Sequence, residues 1–276
     1  MRDAAGIGSI GLYTNLDRIA SGLASLGIGP SDPITPEQLF ALDQWHYHGI
    51  AAIDAAARSL QLSPDSRVLE IGSGIGGPAR YLAHVIGCHV TALELQPKVH
   101  AIAADLTQRC RLGDRVMHIC GDALSHVLPD HGFDAVVSWL AVLHIPDRPQ
   151  LLARIARTLR SGGGCCIEDF SMRALFSAPD LHDLREIVFG MTVTSTDAYI
   201  VDLRAAGFSR IEVTDMTDHW TPFVTERLRA FHANYSAYAQ AHGEPAYAAQ
   251  ETFYAAVARL FEGGSLGGIR VVAHVP

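Results

Sequence analysis

The stretch from Val68 to Arg80, VLEIGSGIGGPAR, restricts the fold more than any other part of this chain. Val68, Leu69 and Ile71 give an apolar run of strand length. Gly72, Gly74, Gly76 and Gly77 then supply a turn in which the backbone can take positive φ and come close to a ligand. Pro78 follows at a position suited to the first turn of a helix. A strand passing through such a turn into a helix is the opening unit of a parallel sheet with helices packed on it.

The rest of the chain continues that rhythm. Strands are expected at 67–71, 89–93, 116–120, 134–138 and 164–168, alternating with helices at 77–86, 97–110 and 149–159. Beyond Glu168 come helical stretches around 181–188 and at 196–206, then a strand at 208–214. Helices at 225–241 and 246–261 precede a last strand at 268–274. Ahead of the glycine segment lie a short amphipathic piece at 16–26 and a longer helical pattern from Pro36 to Leu62, opened by Thr35-Pro36-Glu37-Gln38. The expected fold is α/β: a seven-stranded sheet with helices on both faces. An N-terminal helical lid takes residues 1–62. The main domain takes 63–276, with a helical cap inserted at about 170–200 and 222–262.

Composition narrows the partners. Of 276 residues, 49% are hydrophobic and 18% charged, which allows a large core. Net charge is −8 with no Lys/Arg cluster, so no nucleic-acid partner is expected. No signal-peptide pattern and no apolar run of spanning length is visible, so no membrane partner and a cytoplasmic location are expected. The five cysteines form no C-x-x-C pair and read as buried thiols, with no metal site.

Gly72, Gly74 and Gly77 spell G-x-G-x-x-G, and Glu94 lies 22 residues past Gly72, a spacing that also suits a dinucleotide. Acidic residues shift the balance. Glu70 ends the first strand, where it repels a pyrophosphate and attracts an ammonium group. Glu94 ends the second strand, placed to accept ribose hydroxyls. Asp122 follows the third strand in Cys120-Gly121-Asp122-Ala123, placed to accept from an adenine amino group. Carboxylates at three successive strand ends suit a ligand with a cationic amino acid at one end and a nucleoside at the other.

These residues carry a resemblance. VLEIGSGIGGPARYLA resembles the first motif of Rossmann-like, S-adenosylmethionine-dependent methyltransferases of small molecules, among them the sterol, tocopherol, glycine/sarcosine/dimethylglycine and geranyl-diphosphate enzymes. The likeness continues through ALELQP, CGDAL, SWLAVLHI, GGGCCIEDF and TDMTDHW to EGGSLGGIRVVA, and so covers most of the chain. One departure is Ser73, where Cys is common. The resemblance implies S-adenosylmethionine as cofactor. The cofactor-binding candidates are Glu70, Gly72, Ser73, Gly74, Glu94, Leu95, Gln96, Gly121, Asp122, Ala123 and Leu140, with Tyr13 in a segment that folds over the cofactor in similar enzymes.

The acceptor should lie at the carboxyl edge of the sheet. Loops there bring Trp45, Tyr47, His144, Phe170, Tyr199 and Trp220 as substrate-contact candidates. His144, His46 and Glu168 are candidates for taking a proton. Aromatic faces can steady a cation formed when carbon is methylated. A small, apolar natural-product acceptor is therefore expected, with C-methylation of a prenyl group or N-methylation of an amine both open. The competing readings are an NAD(P)-dependent oxidoreductase using the G-x-G-x-x-G loop, and an inactive methyltransferase-fold assembly subunit. A homo-oligomer is compatible with the N-terminal helix and aromatic cluster.

Overall fold

The computed structural model describes residues 16–276. Its centre is a seven-stranded sheet formed by β1 (Arg67–Ile71), β2 (His89–Glu94), β3 (Val116–Cys120), β4 (Phe133–Trp139), β5 (Leu159–Met172), β6 (Arg210–Asp215) and β7 (Leu266–His274). The strand order is β3-β2-β1-β4-β5-β7-β6. β1 to β5 run parallel, whereas β7 pairs antiparallel with both β5 and β6. The order reverses beside β1, between β1 and β4, so the crevice that opens there is the natural ligand position.

Apolar side chains explain the layers. On one face α1 (Arg18–Ser25), α2 (Pro36–Leu39), α3 (Ile50–Ser59), α4 (Gly77–Tyr81, continued by a π turn, Leu82–Ile86) and α5 (Pro97–Arg109) precede β3. Ala52, Ile53 and Ala56 of α3 and Ala79 and Leu82 near α4 pack against Val68, Val90 and Val137 of the sheet. The other face packs Leu152 and Ile155 of α6 (Arg148–Thr158) and Leu203 of α8 (Thr196–Ala205) against Leu69, Val136 and Ile167. α3 thus joins the layer covering the sheet, although it lies ahead of residue 62.

A further apolar cluster lies beyond the carboxyl edge. After β5 come α7 (Ala178–His182, continued by a π turn, Asp183–Ile187) and, following β6, α9 (Thr217–Ala233), α10 (Tyr235–His242) and α11 (Glu244–Glu262). Trp220 and Val224 of α9, Phe253 and Val257 of α11, and Leu184 and Val188 pack with Tyr47 and Phe170. These helices roof the sheet edge.

Two expected elements differ from the structure. The helical pattern expected from Pro36 to Leu62 is interrupted between Leu39 and Ile50. His48 and Gly49 take positive φ (58° and 50°) just ahead of α3, so one continuous helix cannot run through them. The buried Asp43 carboxylate is instead paired to Arg80 Nη2 at 2.8 Å. The helix expected at 225–241 starts earlier, at Thr217, with Pro222 inside it, and breaks at Asn234 into two helices. Among the described residues, no helix is long and apolar enough to cross a membrane.

Candidate active site

The glycine turn is shaped by close contacts. A Cβ at Gly72, whose φ is +70°, would meet the Ala141 Cβ at 2.2 Å. A Cβ at Gly77 would meet the Asp43 carbonyl oxygen at 2.3 Å. Glycine at these two positions therefore lets the loops after β4 and before α3 close on the turn. Arg80 fastens the arrangement from beneath. Its guanidinium donates to Asp43 Oδ2, to the Ile75 carbonyl at 2.7 Å and to Thr107 Oγ1 at 3.2 Å. Burial pushes the Asp43 carboxyl up, and the facing Arg80 pulls it back.

Two cavities meet at this turn. The first spans about 770 Å³, open mouth included, and is lined by Asp43, Trp45, His46, Tyr47, Glu70, Gly72, Ser73, Gly74, Leu140, His144 and Phe170, with Leu143, Val188, Arg227 and Phe253. The second spans about 530 Å³ and is lined by Gly72, Glu94, Leu95, Gln96, Gly121, Asp122 and Ala123, again with His144. Gly72 and His144 border both. Nearly all cofactor candidates read from the sequence therefore come together around one turn. Tyr13 lies outside the described residues.

The second cavity is carboxylate-lined. Glu94 is buried and accepts from the Gly74 amide at 2.9 Å and the Gln96 amide at 2.9 Å. Burial pushes its carboxyl up, while those amides pull it down. Asp122 is exposed and accepts from the Leu124 amide at 2.8 Å, which also fixes the turn after β3.

The first cavity holds unmatched polar atoms. Glu70 is 2% exposed, and its Oε2 has no hydrogen-bond partner among the described residues. Burial, chiefly, pushes its carboxyl up to about 8; Arg80 opposes this and Glu94 adds to it. The buried Ser73 hydroxyl is also unpartnered. A Cβ at Gly74, with φ +54°, would extend into open space. A buried acid, a free hydroxyl and a glycine facing open space fit the amino-acid end of a cationic ligand, because an unpaired buried polar group costs free energy until a ligand satisfies it.

His144 sits where the cavities join. Its Nδ1 donates to the Phe189 carbonyl at 2.9 Å, which leaves Nε2 as the lone-pair nitrogen. Burial lowers its pKa, so the ring is neutral near pH 7. His46 likewise uses Nε2 toward the Gly49 carbonyl at 3.0 Å, stands beside Trp139 with centroids 5.4 Å apart, and is pushed down to about 4 by burial. Leu140, φ +53°, turns the chain out of β4 into this site and donates its amide to the Glu168 carbonyl at 2.8 Å.

Three expected contacts are not at either cavity. The Glu168 carboxylate is buried against Arg270, with Oε1 accepting from Nε at 2.7 Å, so its proton-accepting role as a catalytic residue has no access to the site. Tyr199 is 1% exposed on α8 in the core beneath the sheet, with the Arg148 guanidinium 4.8 Å from its ring centre. Trp220 is fully buried behind Tyr47, their centroids 4.9 Å apart, and supports the wall from outside. Leu143, Val188, Arg227 and Phe253 escaped the sequence reading. Leu143 lies in the loop after β4 that also carries Leu140 and His144; for the other three only the helical spacing of the insertion gave a signal, and spacing does not tell which of its residues face inward.

The fold is Rossmann-like α/β, with two cavities meeting at its glycine turn. Residues 69–167 match the family model described as "Methyltransferase domain". It is 34% identical over 172 residues to a sarcosine/dimethylglycine N-methyltransferase of Halorhodospira halochloris, covering 62% of this chain and 61% of that protein. It is 32% identical over 184 residues to a 27-O-demethylrifamycin SV methyltransferase of Amycolatopsis mediterranei, covering 64% of this chain and 66% of that one. The chain thus spans less than two thirds of either relative. The phosphoethanolamine N-methyltransferase 2 of Haemonchus contortus, solved with phosphomonomethylethanolamine and S-adenosylhomocysteine, superposes with a TM-score of 0.79 at 21% identity over 96% of this chain and 58% of that one. That likeness establishes the fold.

Proposed function

We propose that the chain transfers a methyl group from S-adenosylmethionine to a small organic acceptor. The observation that carries this reading is the meeting of two cavities at Gly72 and His144, one edged by Glu94 and Asp122, the other by Glu70 and Ser73. In this reading Glu94 accepts from the ribose, Asp122 and Ala123 border the adenine, and Glu70 with the Gly72–Gly74 turn holds the methionine end. The cofactor supplies an electrophilic methyl: its bond to sulfur breaks, the pair stays on sulfur, and the acceptor's electron pair forms the new bond. The chain contributes alignment and exclusion of water. His144 Nε2, neutral at the junction, is positioned to take the proton that the acceptor gives up.

The lining by Trp45, Tyr47, Phe170 and Phe253 supports an acceptor with an apolar body. C-methylation of a prenyl-type group is the favoured reading, since ring faces steady a carbon cation. N-methylation of an amine is the second, supported by the N-methyltransferase names among the relatives. A nicotinamide dinucleotide fits less well, because the buried Glu70 carboxyl at the turn where its pyrophosphate would lie offers that group no positive charge.

Calorimetric titration of S-adenosylmethionine, S-adenosylhomocysteine, NADH and NADPH tests the reading. Wild type should bind the two sulfur ligands alone, and Glu94→Ala should weaken both by about tenfold or more. Preference for a nicotinamide, or no binding of either sulfur ligand, would overturn it.

A further inference from the structure

Arg227, on α9, lines the first cavity, well away in sequence from the glycine turn. Three interior arginines face a carboxylate: Arg80 faces Asp43, Arg148 faces Asp202 and Arg270 faces Glu168. Arg227 has no carboxylate within ion-pair distance among the described residues. Its buried Nε has no hydrogen-bond partner, and its Nη2 donates only a long bond, 3.4 Å, to the Tyr47 hydroxyl.

The guanidinium is nonetheless held firmly. Its carbon lies 4.3 Å from the Tyr254 ring centre, 4.9 Å from that of Tyr47 and 5.7 Å from that of Phe223. Ring faces hold a guanidinium through its charge and plane, and leave its in-plane N–H groups to donate. A fixed, partly desolvated cation with unused donors on the wall of an apolar cavity is costly alone and is a receptor for an anion. The chain's net charge of −8 does not oppose this, since the local field at a half-buried arginine outweighs distant, screened surface charge.

We infer that Arg227 anchors an anionic group, carboxylate or phosphate, carried by the acceptor, so that the substrate class is an apolar body bearing one acidic end. This rests on the methyl-transfer reading above and assigns the acceptor an anchor at the Tyr47–Tyr254 side of the cavity. The acidic end fixes which part of the apolar body reaches the junction at His144.

The test uses full-length protein saturated with S-adenosylhomocysteine and four matched probes: phenylbutanoate, phenylbutyl phosphate, phenylbutanol and phenylbutylamine, each titrated by calorimetry. One or both acids should bind wild type about tenfold or more tightly than the alcohol, and which of the two binds separates carboxylate from phosphate recognition. Arg227→Met should erase that advantage and leave the alcohol unchanged, while Arg227→Lys should keep part of it. If the Met variant fails to fold, as judged by its thermal melt, the Lys variant carries the test, and acid affinity there equal to wild type overturns the inference. Equal or tighter binding of the alcohol or amine, no binding of either acid to the loaded wild type, or acid affinity untouched by Arg227→Met overturns the inference. Failure of S-adenosylhomocysteine to bind at all would instead sink the methyl-transfer reading.

Discussion

The two cavities are built in opposite ways. The one at Glu94 and Asp122 is made where three successive strands end, from backbone amides and carboxylates close to the glycine turn in sequence. The one at Tyr47 and Arg227 shares the glycine turn and the loop after β4, but draws the rest of its wall from side chains that meet only in the folded chain: the loop before α3, the end of β5, Val188 after α7, and α9 and α11. The difference separates a constant task from an adjustable one. Strand ends hold their geometry because the whole sheet fixes them, whereas helical side chains can be exchanged without disturbing the sheet.

This contrast predicts unequal responses to mutation. The largest effect belongs to Arg80→Met, which strands the Asp43 carboxylate in the interior. Breaking a buried pair from one side costs about 3–5 kcal/mol, so urea unfolding should show a loss of that size and S-adenosylhomocysteine affinity should fall with it. A loss below about 1 kcal/mol would mean that Asp43 and Arg80 do not fasten the glycine turn.

The next effect concerns protons. With its carboxyl pushed up to about 8, Glu70 is mostly protonated at pH 7 in the free protein. The stability this contributes is present below the ordinary carboxylate range, near 4.5, and is lost as pH rises toward 8. An ammonium group beside Glu70 favours the ionised form, so binding S-adenosylhomocysteine at pH 7 should release up to about one proton. Calorimetry in buffers of different ionisation enthalpy measures that release, and Glu70→Gln should abolish it. Unchanged release in the variant would assign the proton elsewhere.

The smallest effect is expected from Tyr47→Phe on the adjustable side. The hydroxyl accepts one long bond, so the cost should stay within about 1 kcal/mol, with S-adenosylhomocysteine affinity within about twofold of wild type. A larger loss of cofactor affinity would show that the two cavities are not separable.

The same contrast explains what was legible in the sequence. The glycine turn, Glu70, Glu94 and Asp122 were readable because strand, turn and acid follow one another within a few residues. Four of the five parallel strands lie within a residue of their expected limits at each end. The fifth, β5, runs from Leu159 to Met172, because the glycine run at 162–164 bends the strand and does not end it. The roof was less readable. Tyr199 and Trp220 have the composition of pocket aromatics, yet burial in two different apolar clusters turns them away from the cavities. Nothing in the sequence singles out Arg227 from the other charges of its helix, and only the packing of Tyr47, Phe223 and Tyr254 around it makes it part of a wall.

The placement of β7 has a consequence for assembly. β6 hydrogen-bonds to the sheet only through β7, and α9 to α11 are strung between those two strands. The roofing helices can pack on Tyr47, Leu143 and Phe170, all earlier in the chain, whereas β6 gains a strand partner only with β7. Seated beside β5, β7 is the one strand that ties the edge strand β6 into the sheet. A chain cut before Leu266 would thus keep its glycine turn, its strand-end acids and every residue that lines the two cavities, yet leave β6 without a strand to pair with.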